Sequence, residues 1–309
     1  MASLRQIESF VAVVEEQSFT AAAQREGATQ SGMSQHVRQL EDGLGVTLLL
    51  REGRTVTPTA VGRRYYAECV AILRRLEAAR HDAALAEQQG GEVRVGLMPT
   101  FTRAVLAPAL TSFLAQSHGA EVRILEAYSA VLTEKVRQGE LDFAIVPAVQ
   151  GEPGLVATHI LRDREFLVSA PGRTGRHLEP VCLSELGALD VVLPGRLNTR
   201  RRNIETYLAT NGVQVRARLE LDAMMGTLGF VATSDWVAVL PGVMMAGDRG
   251  GARFEIRPLS APPLYSDFVM IEPARRALAP ATRLFADLLA AEATRIAGLL
   301  TDQAALERL

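Results

Sequence analysis

The chain has 309 residues, 48% of them hydrophobic and 22% charged, which is more than one hydrophobic core ordinarily holds and far from a disordered composition, so two or more folded domains are expected. A net charge of −2 excludes a chain-wide basic field of the kind that attracts nucleic acid indiscriminately. No run of about 20 apolar residues offers a membrane span, and Arg5, Glu8, Glu15 and Glu16 stand where a signal peptide would be apolar, so a cytoplasmic protein without a membrane partner is expected.

The first predicted helix covers residues 3–16: Ser3 and Gln6 have capping-box spacing, and Leu4, Ile7, Val11 and Val14 share one face. A second, short helix starts at Ser18, runs through Phe19 and Ala21, Ala22 and Ala23, and stops at Gly27. The third lies in "TQSGMSQHVRQLEDGLG", with Thr29 as N-cap, Met33, Val37, Leu40 and Leu44 as a buried stripe, and Gly43 and Gly45 at its end. Opposite that stripe Ser31, Ser34, Gln35 and Arg38 form one outward face of hydroxyls, an amide and a guanidinium, groups suited to base edges and phosphates in a major groove. A polar face alone is also what any solvated helix shows. Here, however, two short helices joined by a tight glycine-containing turn make a helix-turn-helix whose second helix is this one.

"LLLREGRTVT" then reads as two short strands around Glu52 and Gly53, a wing with Arg51 and Arg54 flanking its tip. The DNA-contacting set is therefore Ser18, Thr29, Gln30, Ser31, Ser34, Gln35, Arg38, Arg51 and Arg54. Charge in this region is segregated: Glu8, Glu15, Glu16 and Glu26 precede Gly27, whereas Arg38, Arg51, Arg54, Arg63 and Arg64 follow it. Phosphate attraction is then modest and groove contacts carry more of the binding. Lys135 is the only lysine, so the arginine-rich basic set reflects composition as much as chemistry.

After Pro58 and Thr59 a long helical pattern runs to about residue 87 and ends at Gly90 and Gly91. Tyr65, Cys69, Ile72, Leu76, Ala79 and Ala83 alternate spacings of four and three, the pattern of a dimerising coiled-coil seam, with packing on the chain's own second domain as the alternative.

The stretch "LRQIESFVAVVEEQSFTAAAQREGATQSGMSQHVRQLEDGLGVTLLLREGRTVTPTAVG" resembles the N-terminal signature of the LysR-type transcriptional regulators from Leu4 to Gly62. The resemblance implies a winged helix-turn-helix over residues 1–58, a linker helix over 59–90, and a two-lobed α/β effector domain over 91–309 resembling type 2 periplasmic-binding proteins. Lobe 1 would take about 91–162 plus 267–309, and lobe 2 about 163–266. It also implies a homodimer or homotetramer on double-stranded DNA, at an interrupted palindrome, with RNA polymerase as a partner when activating. Four positions depart from the family pattern: Ser31 where proline is common, Gln35 where arginine is common, Leu49 for phenylalanine and Leu50 for an acidic residue. Gln35 would favour adenine where arginine reads guanine.

From Glu92 short β-rich runs alternate with helices, which predicts parallel, helix-covered sheets in two α/β lobes. Late strands at 254–258 and 267–271 and a C-terminal helix from about Pro280 are expected to return the chain to the first lobe. Ligands in such sheets sit beyond the carboxyl ends of strands, at helix N-termini. The candidate effector residues there are Thr100, Phe101, Thr102, Ser129, Asn198, Thr199 and Met225. Each polar member is equally an N-cap, and Phe101 and Met225 equally core. Helix N-termini favour anions, so a small carboxylate-bearing metabolite is expected, with Arg196, Arg200, Arg201 and Arg202 able to supplement the field.

The sequence has no GxSxG, GxxxxGK[ST], HExxH or GxGxxG arrangement, and its five histidines lack ligand spacing, so no catalytic residue, metal or cofactor is expected. Cys69 and Cys182, the only cysteines, predict no disulfide framework. A secreted solute-binding protein is disfavoured by the helix-turn-helix, and a constitutive DNA binder with a vestigial cleft remains the alternative to a sensor.

Overall fold

Helix α1 (Leu4–Glu16) starts where Ser3 and Gln6 close a capping box: Ser3 Oγ accepts the Gln6 N–H at 3.2 Å and Gln6 Oε1 accepts the Ser3 N–H at 2.9 Å. The computed structural model describes residues 2–52, 55–84, 91–117, 119–148, 153–196 and 198–306. Helix α2 (Phe19–Arg25) is capped by Ser18 Oγ on the Ala21 N–H at 3.2 Å, and Gly27, at φ 61°, turns the chain out of it. Helix α3 (Gln30–Leu44) begins with Thr29 Oγ1 accepting the Gly32 N–H at 3.2 Å and ends on a left-handed Gly45. Phe10, Val11, Val14, Phe19, Ala22, Met33, Val37 and Leu40 close one core among the three helices. Leu44, expected in the buried stripe, is 40% exposed because the last turn of α3 runs past the edge of that core.

Strands β1 (Leu49–Glu52) and β2 (Thr55–Pro58) pair antiparallel with Glu52 opposite Thr55. Glu41 Oε1 accepts the N–H groups of Leu48 at 2.6 Å and Leu49 at 3.0 Å, which ties the hairpin to α3. A Cβ at Gly62, in the first turn of α4 (Ala60–Ala84), would collide with the Leu48 carbonyl, so glycine is needed for this approach.

The seam expected along α4 is only partly free. The Tyr65 ring lies 5.6 Å from that of Phe10, and Cys69, Val70 and Leu73 complete the helix-turn-helix core. Cys69 is therefore a buried residue of its own domain, a correction to its place in a dimer seam, and Tyr65 is half-buried against the same core. Burial pushes the Cys69 thiol up to about 11, which keeps it protonated and unreactive. Ile72 is 50% exposed, Leu76 is half-buried and Ala79 is exposed. The Ala83 side chain lies outside the described residues.

Two compact units form: Met1–Gln88 with Gln150–Val156 and Pro273–Ala279, and the remainder. The sequence reading ends the DNA-binding and linker segments near residue 90, whereas the structure adds the two later segments to the first unit. There Ala274 joins the apolar core, and the Arg275 guanidinium pairs with Glu26 at 2.9 Å and Glu15 at 3.4 Å. Glu15 also takes Arg25 and the Tyr66 hydroxyl.

The second unit repeats one topology. In its first half β3 (Glu92–Leu97), α5 (Pro99–Ala104), α6 (Leu106–Gln116), β4 (Glu121–Glu126), α7 (Ser129–Arg137) and β5 (Phe143–Pro147) follow in order, and β3 pairs parallel with both β4 and β5. After β6 (Leu155–Ser169), the elements β7 (Leu189–Leu193), α8 (Thr199–Thr210), β8 (Val215–Glu220), α9 (Met224–Ala232), β9 (Val237–Pro241) and α10 (Gly242–Met245) do the same, with β7 central. In each half the first strand is the middle one, so the chain leaves it to one side and returns on the other, opening a crevice at its carboxyl end. β10 (Glu255–Pro258) lies antiparallel on β6 in the second lobe. β11 (Tyr265–Pro273) and α11 (Pro280–Leu306) do return: β11 pairs with β5, and Phe285 packs 4.9 Å from Phe113. The strand order is β4-β3-β5-β11-β6-β9-β7-β8.

Asp163 on β6 is buried, and its Oδ2 accepts the Val243 N–H at 2.7 Å. Burial, aided by neighbouring Glu165, pushes its carboxyl up to about 7. A folded value above the unfolded one means the stabilising contribution is present below about pH 4 and lost as pH rises through about 7. Asp163→Asn keeps the acceptor and removes the titration. Thermal melts across this range are therefore expected to show the variant gaining on the wild type as pH rises, and parallel curves would refute the assignment.

Candidate functional site

The outward face of α3 is set by what its inner face buries. Met33, Val37 and Leu40 anchor the helix, and His36 Nδ1 meets Ser9 Oγ of α1 at 2.9 Å. Ser31, Gln35 and Arg38 are left exposed and Ser34 half-exposed, lining with Gln30 and Gln39 a shallow open groove. Arg51 of β1 reaches the same face: its guanidinium donates to Ser34 Oγ at 3.3 Å and lies 4.7 Å above the Phe19 ring. Ser18 and Thr29 spend their side-chain oxygens as the N-caps of α2 and α3. Arg54 lies outside the described residues. A convex helix bearing short donors, an amide and two guanidiniums matches the width and chemistry of a DNA major groove.

The second site lies at the carboxyl ends of β3, β4, β7 and β8. Thr100 is buried in the first turn of α5. Thr102 Oγ1 donates to Glu126, with the Pro99 carbonyl 3.2 Å away as the alternative acceptor. Ser129, first residue of α7, is buried, and its Oγ has no hydrogen-bond partner among the described residues. In the other lobe Asn198 caps α8 through Oδ1 on the Arg200 N–H at 3.0 Å, and Thr199 is exposed beside it. Met225 is 73% exposed, so it is no core residue. Phe101 is the opposite case. It is fully buried edge-on against Phe268 at 5.2 Å, a correction to its place in a ligand wall.

Three residues absent from the sequence reading join the two lobes. The Tyr128 phenol faces the Asp222 carboxylate, and burial, Asp222 and then Glu126 raise its pKa. Asp222 in turn accepts the Gly195 N–H at 2.9 Å, and a Cβ on Gly195 would fill the space its carboxylate occupies. Tyr128 and Asp222 each stand two residues beyond a second strand, β4 in one half and β8 in the other. That repeated placement was the available signal. The expected arginine field is largely committed elsewhere: Arg200 is buried against Glu165, and Arg201 pairs with Glu205 and Glu220.

Residues 4–63 match the family model described as bacterial regulatory helix-turn-helix protein, lysR family, and residues 86–294 match the LysR substrate binding domain. The HTH-type transcriptional regulator PcaQ of Agrobacterium fabrum is 30% identical over 82% of this chain and 83% of its own length. The nitrogen assimilation regulatory protein nac of Escherichia coli is 26% identical over 93% and 94%. Solved structures share the fold: full-length OxyR from Pseudomonas aeruginosa (23% identity, 95% of each chain, TM-score 0.55) and full-length CbnR complexed with its target DNA (20% identity, 94% of this chain and 99% of that one, TM-score 0.55). With a helix-turn-helix whose third helix presents a polar face and a two-lobed α/β domain later in the sequence, the chain belongs to the LysR family of transcriptional regulators.

Proposed function

We propose that this regulator works in the cytoplasm as a dimer or tetramer, reads an interrupted palindrome through paired α3 helices, and contacts RNA polymerase when it activates. A small carboxylate-bearing metabolite in the cleft between its two α/β lobes sets its state. Exposed Ile72 and Ala79, with half-buried Leu76, supply the remaining seam on α4. The observation that carries the sensor reading is Ser129: a buried hydroxyl without a partner among the described residues, at a helix N-terminus, at the strand ends where such sheets take ligands. A ligand there changes DNA binding only to the extent that it prefers one lobe arrangement over the other.

Footprinting on the promoter region beside the gene is expected to protect two half-sites about one helical turn apart or a multiple of it. Protection of a single half-site would overturn the paired reading. A constitutive regulator with a vestigial cleft would show the same footprint but no stabilisation by any small metabolite.

A further inference from the structure

The Glu15 side chain, in the last turn of α1, is 4% exposed and stands at the centre of an ion-pair cluster. Its carboxylate takes Arg25 of α2, the Tyr66 hydroxyl of α4 at 3.1 Å and Arg275 at 3.4 Å. Arg25 is shared, since it also meets Glu16 at 2.6 Å and Glu26 at 3.5 Å. One guanidinium of the helix-turn-helix therefore faces three carboxylates, and Arg275, 2.9 Å from Glu26, is the second cation of the cluster among the described residues. A buried carboxylate is costly unless cations and hydrogen bonds compensate it, so the helix-turn-helix draws on a residue from far along the chain. Two segments come with that residue. Ala274 is buried in the apolar core of the helix-turn-helix, Val156 packs against the same core, and the Ala274 N–H donates to the Gly154 carbonyl at 2.8 Å. A Cβ on Gly154 (φ 79°) would lie 3.1 Å from the Glu15 carboxyl carbon, and the Arg74 guanidinium of α4 donates to the Ala274 carbonyl at 3.4 Å.

We propose that residues 154–156 and 273–275 form an intramolecular latch on the helix-turn-helix, closed by Arg275, through which β6 and β11 position the recognition helix directly and not by way of α4 alone. Val156 is the second residue of β6, which carries the chain from the first α/β half to the second, and Pro273 is the last residue of β11, which carries it back. A rearrangement of the halves has to pass through these two crossings, and both run straight into the latch. From there α1 reaches α3 through the shared core and through Ser9 on His36 at 2.9 Å. This rests on the sensor reading above only for the source of the signal, since the latch itself needs no ligand. A protein that holds two half-sites at once gains from the second contact only as far as its geometry is set beforehand, so a closed latch favours one half-site spacing. Arg275 is thus a positioning residue for DNA binding.

Two measurements on the full-length protein test this. In a Cys182→Ser background, Ala274→Cys reports the latch, because residue 274 is 4% exposed and the remaining thiol, Cys69, is buried. Labelling by a maleimide is expected to be slow, to quicken about tenfold or more when Arg275→Ala is added, and to fall between the two with Arg275→Lys. Labelling unchanged by Arg275→Ala would overturn the latch. The footprinted promoter duplex is expected to slow the labelling about fivefold or more, because coupling is reciprocal. Labelling indifferent to this DNA would overturn the positioning role, whether one half-site is protected or two. Affinity is then measured on the same duplex, on one half-site, and on duplexes with inserts of up to about five base pairs, half a helical turn. Arg275→Ala is expected to weaken the intact duplex about fivefold or more and to flatten the dependence on spacing, with the single half-site bound as by the wild type. Equal losses on half-site and intact duplex would mean a damaged helix-turn-helix and overturn the proposal, as would a wild-type dependence on spacing. The sensor reading fails separately, when no metabolite stabilises the protein, and the latch is unaffected by that result.

Discussion

Arg200→Leu is expected to destabilise the second unit by about 3–5 kcal/mol, because it leaves a buried carboxylate without its cation. Arg200 and Glu165 are 2% and 1% exposed, and the guanidinium grips Glu165 through Nε at 3.1 Å and a terminal nitrogen at 2.6 Å. The same nitrogen donates to the Val239 carbonyl at 3.1 Å, and Ser266 donates to Glu165 from the far side. The pair therefore fastens the first turn of α8 to β6 and β9. With the arginine gone, Glu165 must remain charged without its cation or take up a proton, and neighbouring Asp163 loses the cation that lowers its own carboxyl. Arg200→Lys is expected to recover little, since a point ammonium does not reproduce the two-pronged grip. Joint replacement, Arg200→Met with Glu165→Leu, is expected to restore most of the loss, because neither charge is then stranded. Denaturant unfolding of the three variants decides it. A single Arg200→Leu variant with the wild-type midpoint would mean that the ion pair does not hold this unit together.

What sequence reveals here follows the range of the interaction. The caps at Ser3, Ser18 and Thr29, and the left-handed glycines at 27 and 45, act within one turn of chain, and all were legible. The repeated strand-helix alternation placed Thr100, Ser129 and Asn198 at strand ends for the same reason. Periodicity names a face but not its neighbour. The spacing that joins Tyr65, Cys69 and Ile72 is one continuous stripe in sequence, yet its first two members meet Phe10 and the helix-turn-helix core while the third is half-exposed. Phe101 likewise follows a strand end as a ligand wall would, but it is claimed by Phe268, 167 positions later. Long-range polar pairs were invisible altogether: nothing local marks Glu165 as the partner of Arg200, Asp222 as the neighbour of Tyr128, or Arg275 as the cation for Glu15.

The recognition face permits a sharper expectation. Replacing Gln35 with alanine is expected to reduce the discrimination between operator and base-substituted operator by about 1–3 kcal/mol, the worth of one bidentate amide contact to an adenine edge. Gln35 is exposed, and no hydrogen bond within the described residues engages its amide, so the substitution cannot act by unpairing a partner inside the protein. Alanine is also the better helix former, so α3 itself is not weakened. Loss of discrimination would then report the groove contact and not the fold. Arg51→Ala provides the contrast. Its guanidinium lies over Phe19 and against Ser34 at the margin of the same groove, placed for a phosphate rather than a base edge. That change is expected to weaken all sequences alike and to lower the salt slope by about one unit. Binding measured on operator, substituted operator and unrelated DNA at several salt concentrations separates the two effects. If Gln35→Ala weakened every sequence equally while Arg51→Ala altered base preference, the roles of helix and wing would have to be exchanged. If neither variant changed anything, the polar face of α3 would be no more than a solvated surface.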